Sequence, residues 1–373
     1  MIFPKLISID TSIFGKLAKD YYSRNTIKSK SARDVVQFLN GNGLIPFVTY
    51  HHIQEILQHE NEKVVFSRWS LIGKFHTVAW MCGFDDRRVL GSSYDIHQLE
   101  VQHLLNRSGS SSESLSEKFK NRLIQHCSGE EFIASFEYVY SEASRLGYVD
   151  AHRSKEIESI SHLQDKMVNE TRLSELDKSK LKQPSEVASY LRRYESKFIS
   201  GLEKRGDERL SNYAAIAREF IGEIVSKAKP LYENSTTSLL EAFVRNAGVR
   251  KDQITPTMTI GELGYLAVYN SKIEQILESL GIPLARARDL SPEESSTWVI
   301  WKYLDNAMKY EKRAHGSNMI DKHMSVLALY VDIFIVDKRV KEYFGQLKRK
   351  NSILGDNFGN VVKVSNYSEL LGL

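Results

Sequence analysis

The sequence has few cysteines and no long apolar run, and both absences limit what the chain can be. It contains only two cysteines, Cys82 and Cys127, and their spacing matches no zinc-binding motif. Two thiols in a chain of 373 residues are typical of small buried side chains in a reducing compartment. No apolar run is long enough to span a bilayer, and the first residues lead directly into a strand. We therefore expect a cytoplasmic protein without a membrane partner.

Motifs for nucleotide binding and covalent catalysis are missing as well. Neither the phosphate-binding pattern G-x-x-x-x-G-K-[ST] nor a Rossmann fingerprint occurs, and no convincing Ser or Cys nucleophile is present. What remains is an ordinary globular composition, with 42% hydrophobic and 26% charged residues. The length allows two or three domains. The net charge of +4 fits a polyanion-binding protein but does not by itself indicate one.

Buried strands are predicted only towards the two ends of the chain, at residues 6–9, 44–49, 333–336 and 359–364. Residues 63–84 have a helical pattern, residues 85–112 are polar and predict a loop, and the stretch from about 113 to 281 predicts helices. Because strands separated by helices need crossover connections, we expect a parallel sheet. The sequence thus predicts an α/β domain built from residues 1–84 and 315–373, with an all-α insertion over residues 85–314.

Asp321 and Asp337 mark the two ends of one helix–strand unit. The pattern predicts a helix from Asp321 to about Val331, followed by a buried strand over residues 333–336. Helix and strand run antiparallel when they pack, so the start of the helix meets the end of the strand. We therefore expect these two acids to be close, although they are sixteen positions apart. They would lie at the sheet edge where α/β proteins bind ligands.

Two further acids are predicted at the same edge. Asp10 follows the first strand, and Glu55 lies in the second turn of the helix that leaves the second strand. Each acid alone is explained well enough as a helix cap or as a solvated surface carboxylate. Their joint placement is what favours a metal site.

A cluster of four carboxylates is electrostatically unfavourable. Like charges in a cleft raise one another's pKa, and desolvation adds to the cost. A divalent cation removes the problem, and oxygen-only ligands select Mg²⁺ or Mn²⁺ over zinc. Such ions can activate water and stabilise the leaving oxygen of a phosphodiester.

These segments resemble PIN-domain nucleases. Residues 7–14 (Ile-Ser-Ile-Asp-Thr-Ser-Ile-Phe) are similar to the opening strand of that family, where the first acid is followed by Thr or Ser. Residues 48–57 resemble the second strand and the helix with the second acid. Asp321 and residues 331–338 resemble the third acid and the strand that ends in the fourth. The resemblance covers roughly residues 1–80 and 315–373 and leaves the helical middle unexplained.

The resemblance implies a PIN-like fold and an endoribonuclease that depends on Mg²⁺ or Mn²⁺. It implies that the catalytic metal ligands are Asp10, Glu55, Asp321 and Asp337. Thr11 or Ser12 would then orient a carboxylate or a metal-bound water. The candidates for phosphate contacts are Lys322, Lys338, Arg339, His51 and His52. The expected partner is nucleic acid, RNA rather than DNA.

Several alternatives stay open. Asp332 competes for the fourth position, but we favour Asp337 because it follows the strand, whereas Asp332 precedes it. The protein could instead be a structure-specific DNA nuclease of the same fold, or a non-catalytic nucleic-acid or protein interaction module whose acids are only caps. The helical insertion could recruit a protein partner or inhibitor. Trp298, Trp301 and Tyr303 could stack bases, although their helical spacing favours core packing.

Overall fold

A computed structural model describes residues 4–59, 61–106, 114–141, 155–161, 172–176, 184–222, 249–255, 257–309, 311–312 and 317–373. The chain forms two compact units. The first comprises Met1–Ala151, Glu293–Ala307 and Met319–Leu373, and the second comprises His152–Pro292 and Met308–Asn318. The first unit thus contains both ends of the chain. It continues to residue 151, whereas the sequence placed the boundary at residue 84.

The helices are numbered here in chain order. Those of the first unit are α1 (Thr11–Tyr21), α2 (Thr26–Gly41), α3 (Tyr50–Leu57), α4 (Glu62–Ile72), α5 (Ser93–Leu105), α6 (Leu115–Leu123) and α7 (Gly129–Ser135), followed later in the chain by α10 (Ser296–Met308), α11 (Asn318–Ser325), α12 (Lys338–Lys350) and α13 (Ser352–Asp356). The second unit contains α8 (Pro184–Arg205) and α9 (Ile260–Ser279).

A mixed six-stranded sheet forms the centre of the first unit. Its strands are β1 (Lys5–Ser8), β2 (Leu44–Val48), β3 (Val78–Met81), β4 (Ile124–Cys127), β5 (Ile333–Val336) and β6 (Asn360–Lys363). They lie in the order β4-β3-β2-β1-β5-β6. Neighbouring strands are parallel except for β3 and β4, which are antiparallel. The predicted α/β class is confirmed, but the prediction of a fully parallel sheet was wrong at this edge.

The sequence patterns missed three elements of the first unit. Residues 63–84 do not form one helix, because α4 ends before Gly73 and β3 follows. All four β3 residues are buried, so the strand lacks the alternation that would distinguish it from a helix. β4 is likewise a segment of only four residues, and it follows α6 directly. The polar stretch 85–112 contains α5, in which Gln98 and Glu100 are buried. Residues 107–112 of that stretch lie outside the described part of the chain.

The strand order reverses at β1. The chain passes from β1 to β2 and β3 on one side, and β5 later pairs with the other side of β1. Apolar faces of α1 and α2 pack into the same core as the central strand, with Ile7, Leu17 and Leu39 fully buried. Burial of each such side chain contributes about 1.5–3 kcal/mol. The carboxyl ends of β1 and β5 therefore lie at a topological switch point, the usual position of a ligand crevice.

A buried carboxylate connects α5 with the start of α10. Glu100 is 2% exposed. It accepts hydrogen bonds from the Ser295 hydroxyl at 2.8 Å, the Thr297 backbone N–H at 3.1 Å and the Tyr330 hydroxyl at 3.0 Å. These donors satisfy the carboxylate, so a polar side chain can lie in the interior. Burial still raises the pKa of Glu100.

The second unit has separate small cores in its described segments. Phe198 and Leu202 of α8 pack with Ile216, which lies in the helical residues 213–222. Leu263 of α9 packs with Leu173 and with Val249. Helix α9 runs without a break through residue 270. Among the described residues of the whole chain, no helix is both long and apolar enough to span a bilayer.

Candidate metal centre

Two of the predicted acids are helix caps at the carboxyl edge of the sheet. Asp10 lies just after β1, and its carboxylate accepts the backbone N–H groups of Ser12 at 2.8 Å and Ile13 at 3.3 Å. Asp337 follows β5 and accepts the backbone N–H of Val340 at 2.7 Å. Because β1 and β5 are parallel neighbours, both caps lie at one edge.

Glu55 lies on α3, which begins after β2. Its side chain is half-buried and accepts a hydrogen bond from the Thr11 hydroxyl. Burial raises the pKa of the Glu55 carboxyl, and the charge of Asp10 raises it further. The Thr11 hydrogen bond and the nearby Arg68 guanidinium oppose this shift. Thr11 therefore lies close enough to Glu55 to lower the pKa of its carboxyl.

Asp321 is the most strongly perturbed acid of the group. It lies in the first turn of α11, and its side chain is only 18% exposed. Burial raises its pKa well above the usual range. The negative charges of Glu55, Asp10 and Asp337 raise it further, and the Arg339 guanidinium lowers it. The other three predicted acids thus lie close enough to Asp321 to raise its pKa.

Arg339 is the main cation within this acid cluster. Its Nη2 donates to Asp321 Oδ2 at 2.7 Å, and its Nε lies 3.7 Å from Asp337 Oδ2. Arg68, on α4, influences Glu55 through its charge alone. Four carboxylates facing two guanidinium groups have two negative charges in excess when all are ionised. Protons or a divalent cation would reduce the repulsion among the carboxylates.

The side-chain arrangement differs from a formed metal site. Within the described part of the chain, no three acidic, histidine or cysteine side chains converge closely enough to bind one ion together. Two carboxylates are engaged as caps through Oδ1, and Asp321 is paired with Arg339. The donors are nevertheless all oxygens, as Mg²⁺ and Mn²⁺ prefer. Their excess charge equals that of one divalent ion, so the residue set fits the metal in chemistry.

Asp332 lies at the opposite end of β5 from Asp337. Its Oδ2 accepts the backbone N–H of Leu6 at 2.7 Å, at the start of β1. This contact joins the amino ends of two neighbouring strands. Asp337, and not Asp332, therefore lies with the other acids.

The other residues singled out from the sequence differ in their exposure and in their partners. The Ser12 hydroxyl donates a short hydrogen bond to Asp10. Lys338 is 76% exposed and lies 3.8 Å from Glu342, whereas Lys322 pairs with Asp305 at 2.9 Å. Trp298 and Trp301 are buried, as expected for core packing.

Of the two histidines predicted as phosphate contacts, His52 is buried and His51 is partly buried. His52 lies between the hydroxyls of Ser8 at 3.1 Å and Thr49 at 2.8 Å. Burial lowers the pKa of His52 to about 3 and that of His51 to about 4. Both imidazoles are therefore neutral at pH 7 and provide no ionic contact to a phosphate.

A histidine–serine contact joins the helices that carry Glu55 and Asp321. Ser93 Oγ lies 2.7 Å from His323 Nδ1 and 3.2 Å from His51 Nε2, and the two imidazole rings stack at 4.8 Å. This arrangement could not be predicted from the sequence, because Ser93 belongs to a stretch predicted as a loop. It lies 230 positions from His323.

Comparisons of the chain with protein family models, curated proteins and solved structures found no match. The cluster is therefore interpreted from its geometry and charge.

Proposed function

We propose that the first unit is a PIN-like domain and that the protein is an endoribonuclease dependent on Mg²⁺ or Mn²⁺. The observation that supports this most strongly is the grouping of Asp10, Glu55, Asp321 and Asp337 at a topological switch point. Two guanidinium groups balance only part of their charge. The preference for RNA over DNA comes from the resemblance to PIN-domain nucleases.

Helix capping explains only half of this cluster. Asp10 and Asp337 are caps, which is what a non-catalytic module would require. Glu55 and Asp321 lie within their helices, and burial disfavours the charge of both. Such placement costs stability. A metal site would account for all four acids together.

The residues have distinct roles in the proposed reaction. The four carboxylates would hold the ion, which when bound would lower the pKa of water and balance charge on the leaving oxygen. Thr11 would keep the Glu55 carboxylate oriented, and Ser12, which donates a hydrogen bond to Asp10, would do the same for that acid. Arg339 pairs with Asp321 in the metal-free protein. If an ion were to neutralise Asp321, the Arg339 guanidinium would be available to a phosphate of the substrate.

Cleavage of labelled single-stranded RNA in Mn²⁺ or Mg²⁺ tests the proposal. Asp10→Asn and Asp321→Asn should each reduce cleavage to background with an unchanged circular dichroism spectrum. Asp332→Asn is the matched control, because this acid lies at the other end of β5, and it should cleave like wild type. A double Asp10/Asp321 variant that still cleaves RNA at the wild-type rate would reject the assignment. Cleavage of flapped DNA but not RNA would instead assign the DNA nuclease alternative.

A further inference from the structure

Helix α12 concentrates the positive charge of the protein. Its thirteen residues include six lysines or arginines and one glutamate. This local excess is larger than the net charge of +4 of the whole chain, so the remainder of the chain is close to neutral overall. The apolar face of α12 is fixed by the buried side chains of Val340, Phe344 and Leu347. Its basic face must therefore point away from the core.

The exposed side of α12 forms one wall of a basic groove. The groove has a volume of about 440 Å³ and is lined by Lys338, Lys341, Glu342, Gly345, Gln346, Arg349 and Lys363. The first six recur at intervals of three and four residues, which places them on one helix face. Lys363, at the end of β6, adds a cation from a second element. Four of the seven lining residues carry a positive charge, and one carries a negative charge.

The groove begins beside the acid cluster. Asp337, one of the four acids, is the N-cap of α12, and Lys338 is its first residue. Lys363 pairs in register with Val336, the residue before Asp337. From Lys338 to Arg349 the helix rises about 16 Å. The cations thus form a single line that extends away from the carboxylates.

Gly345 keeps the middle of the groove free of side chains. It is exposed within α12, and an added Cβ would meet only Arg349 Nη1, at 3.9 Å. Core packing therefore does not require a glycine here, although glycine is unfavourable within a helix. Near the end of the groove that lies far from the acid cluster, the Tyr303 hydroxyl donates to Gln346 at 3.1 Å. Lys350 Nζ lies 5.3 Å from the centroid of the Tyr303 ring. An aromatic ring among cations suits a nucleic-acid strand.

We propose that this basic groove binds the phosphate backbone of a single RNA strand and leads it to the acid cluster, an inference that rests on the proposed nuclease function. A strand fits better than a duplex, because the cations lie in one line on one helix and one strand end. Phosphates along the groove would pair with the exposed cations Lys341, Arg349 and Lys363.

Fluorescence anisotropy with a short labelled oligouridylate tests the groove. Binding is measured in EDTA, so that no cleavage occurs. The variant Lys341→Gln/Arg349→Gln/Lys363→Gln removes three groove cations. The matched control is Lys19→Gln/Lys28→Gln/Lys30→Gln, which removes three exposed cations from α1 and α2. Thermal unfolding confirms that both variants fold.

The groove variant should bind about 10- to 50-fold more weakly at 0.15 M salt, and the slope of log affinity against log salt should fall by about two. The control should bind like wild type. Equal weakening in both triple variants, or wild-type affinity in the groove variant, would overturn the inference. So would equally tight binding of polyglutamate, which would indicate an acidic protein partner.

Binding through the groove without any cleavage by wild type would reject only the nuclease function. Cleavage with an unchanged KM in the groove variant would reject only the groove.

Discussion

Replacing Asp321 by asparagine should make the metal-free protein more stable. The side chain keeps its shape and can still accept a hydrogen bond from Arg339. Burial, the largest influence on its pKa, disfavours the aspartate charge, and repulsion from Glu55 outranks the attraction to Arg339. Removing the charge should therefore gain more than is lost from the ion pair.

The expected magnitude follows from the usual range of single substitutions, which change the free energy of unfolding by about 0.5–3 kcal/mol. Each 1 kcal/mol corresponds to a change in Tm of about 2–4 °C for a unit of this size. We therefore expect the Tm of the metal-free protein to rise by about 2 °C or more at pH 7. Wild type should in turn gain about 2.7 kcal/mol when Mn²⁺ is present at 100 times its Kd. The asparagine variant should gain much less.

The stability of the metal-free protein should depend on pH, and the raised pKa of Asp321 sets the direction of that dependence. The pKa of Asp321 is raised in the folded protein, so the native state holds a proton that the unfolded chain releases. Stability of the metal-free wild type should fall as the pH rises from the unfolded value of 3.8 through the folded pKa. In the Asp321→Asn variant, the part of this loss of stability that Asp321 causes should be absent.

Thermal unfolding of both proteins, in EDTA and across a Mn²⁺ titration, provides the measurement. Asp332→Asn serves as control and should match wild type in its Mn²⁺ response. The reasoning fails if the metal-free asparagine variant is less stable than wild type, or if Mn²⁺ raises the Tm of both proteins equally.

Three further predictions concern single residues. Glu100→Ala leaves three buried donors unpaired and should lower the free energy of unfolding, measured in urea, by about 3 kcal/mol or more. A loss no larger than that caused by Glu100→Gln would contradict this account. Thr11→Val removes the hydrogen bond to Glu55 and should weaken Mn²⁺ binding measured by calorimetry, whereas Thr11→Ser should preserve it; equal affinities in both variants would exclude an orienting role. Gly345→Ala should stabilise the protein by about 0.5–1 kcal/mol in thermal unfolding, because open space surrounds the added methyl group; a loss of stability would show that the glycine is needed for packing.

The acids could be placed from the sequence because their positions follow from strand ends. A buried strand followed by a helix start fixes the edge at which Asp10 and Asp337 lie, even across most of the chain. The same rule separated Asp337 from Asp332. These inferences needed only the order of elements and the parallel arrangement of the central strands.

The features that the sequence did not predict depend on contacts between distant segments. β3 is buried on all sides, and α5 buries polar side chains, so neither shows the usual pattern. The Ser93–His323 contact and the burial of Glu55 arise only when separate helices pack. The pairing of Arg339 with Asp321 likewise could not be deduced from their separation in the chain.

Anomalous diffraction from crystals soaked in Mn²⁺ tests the central claim most directly. The account predicts an anomalous peak at the carboxyl ends of β1 and β5, bound by oxygens from at least two of Asp10, Glu55, Asp321 and Asp337, with Arg339 turned away from Asp321. Soaked crystals in which these carboxylates keep their present partners, with no peak among them, would contradict it.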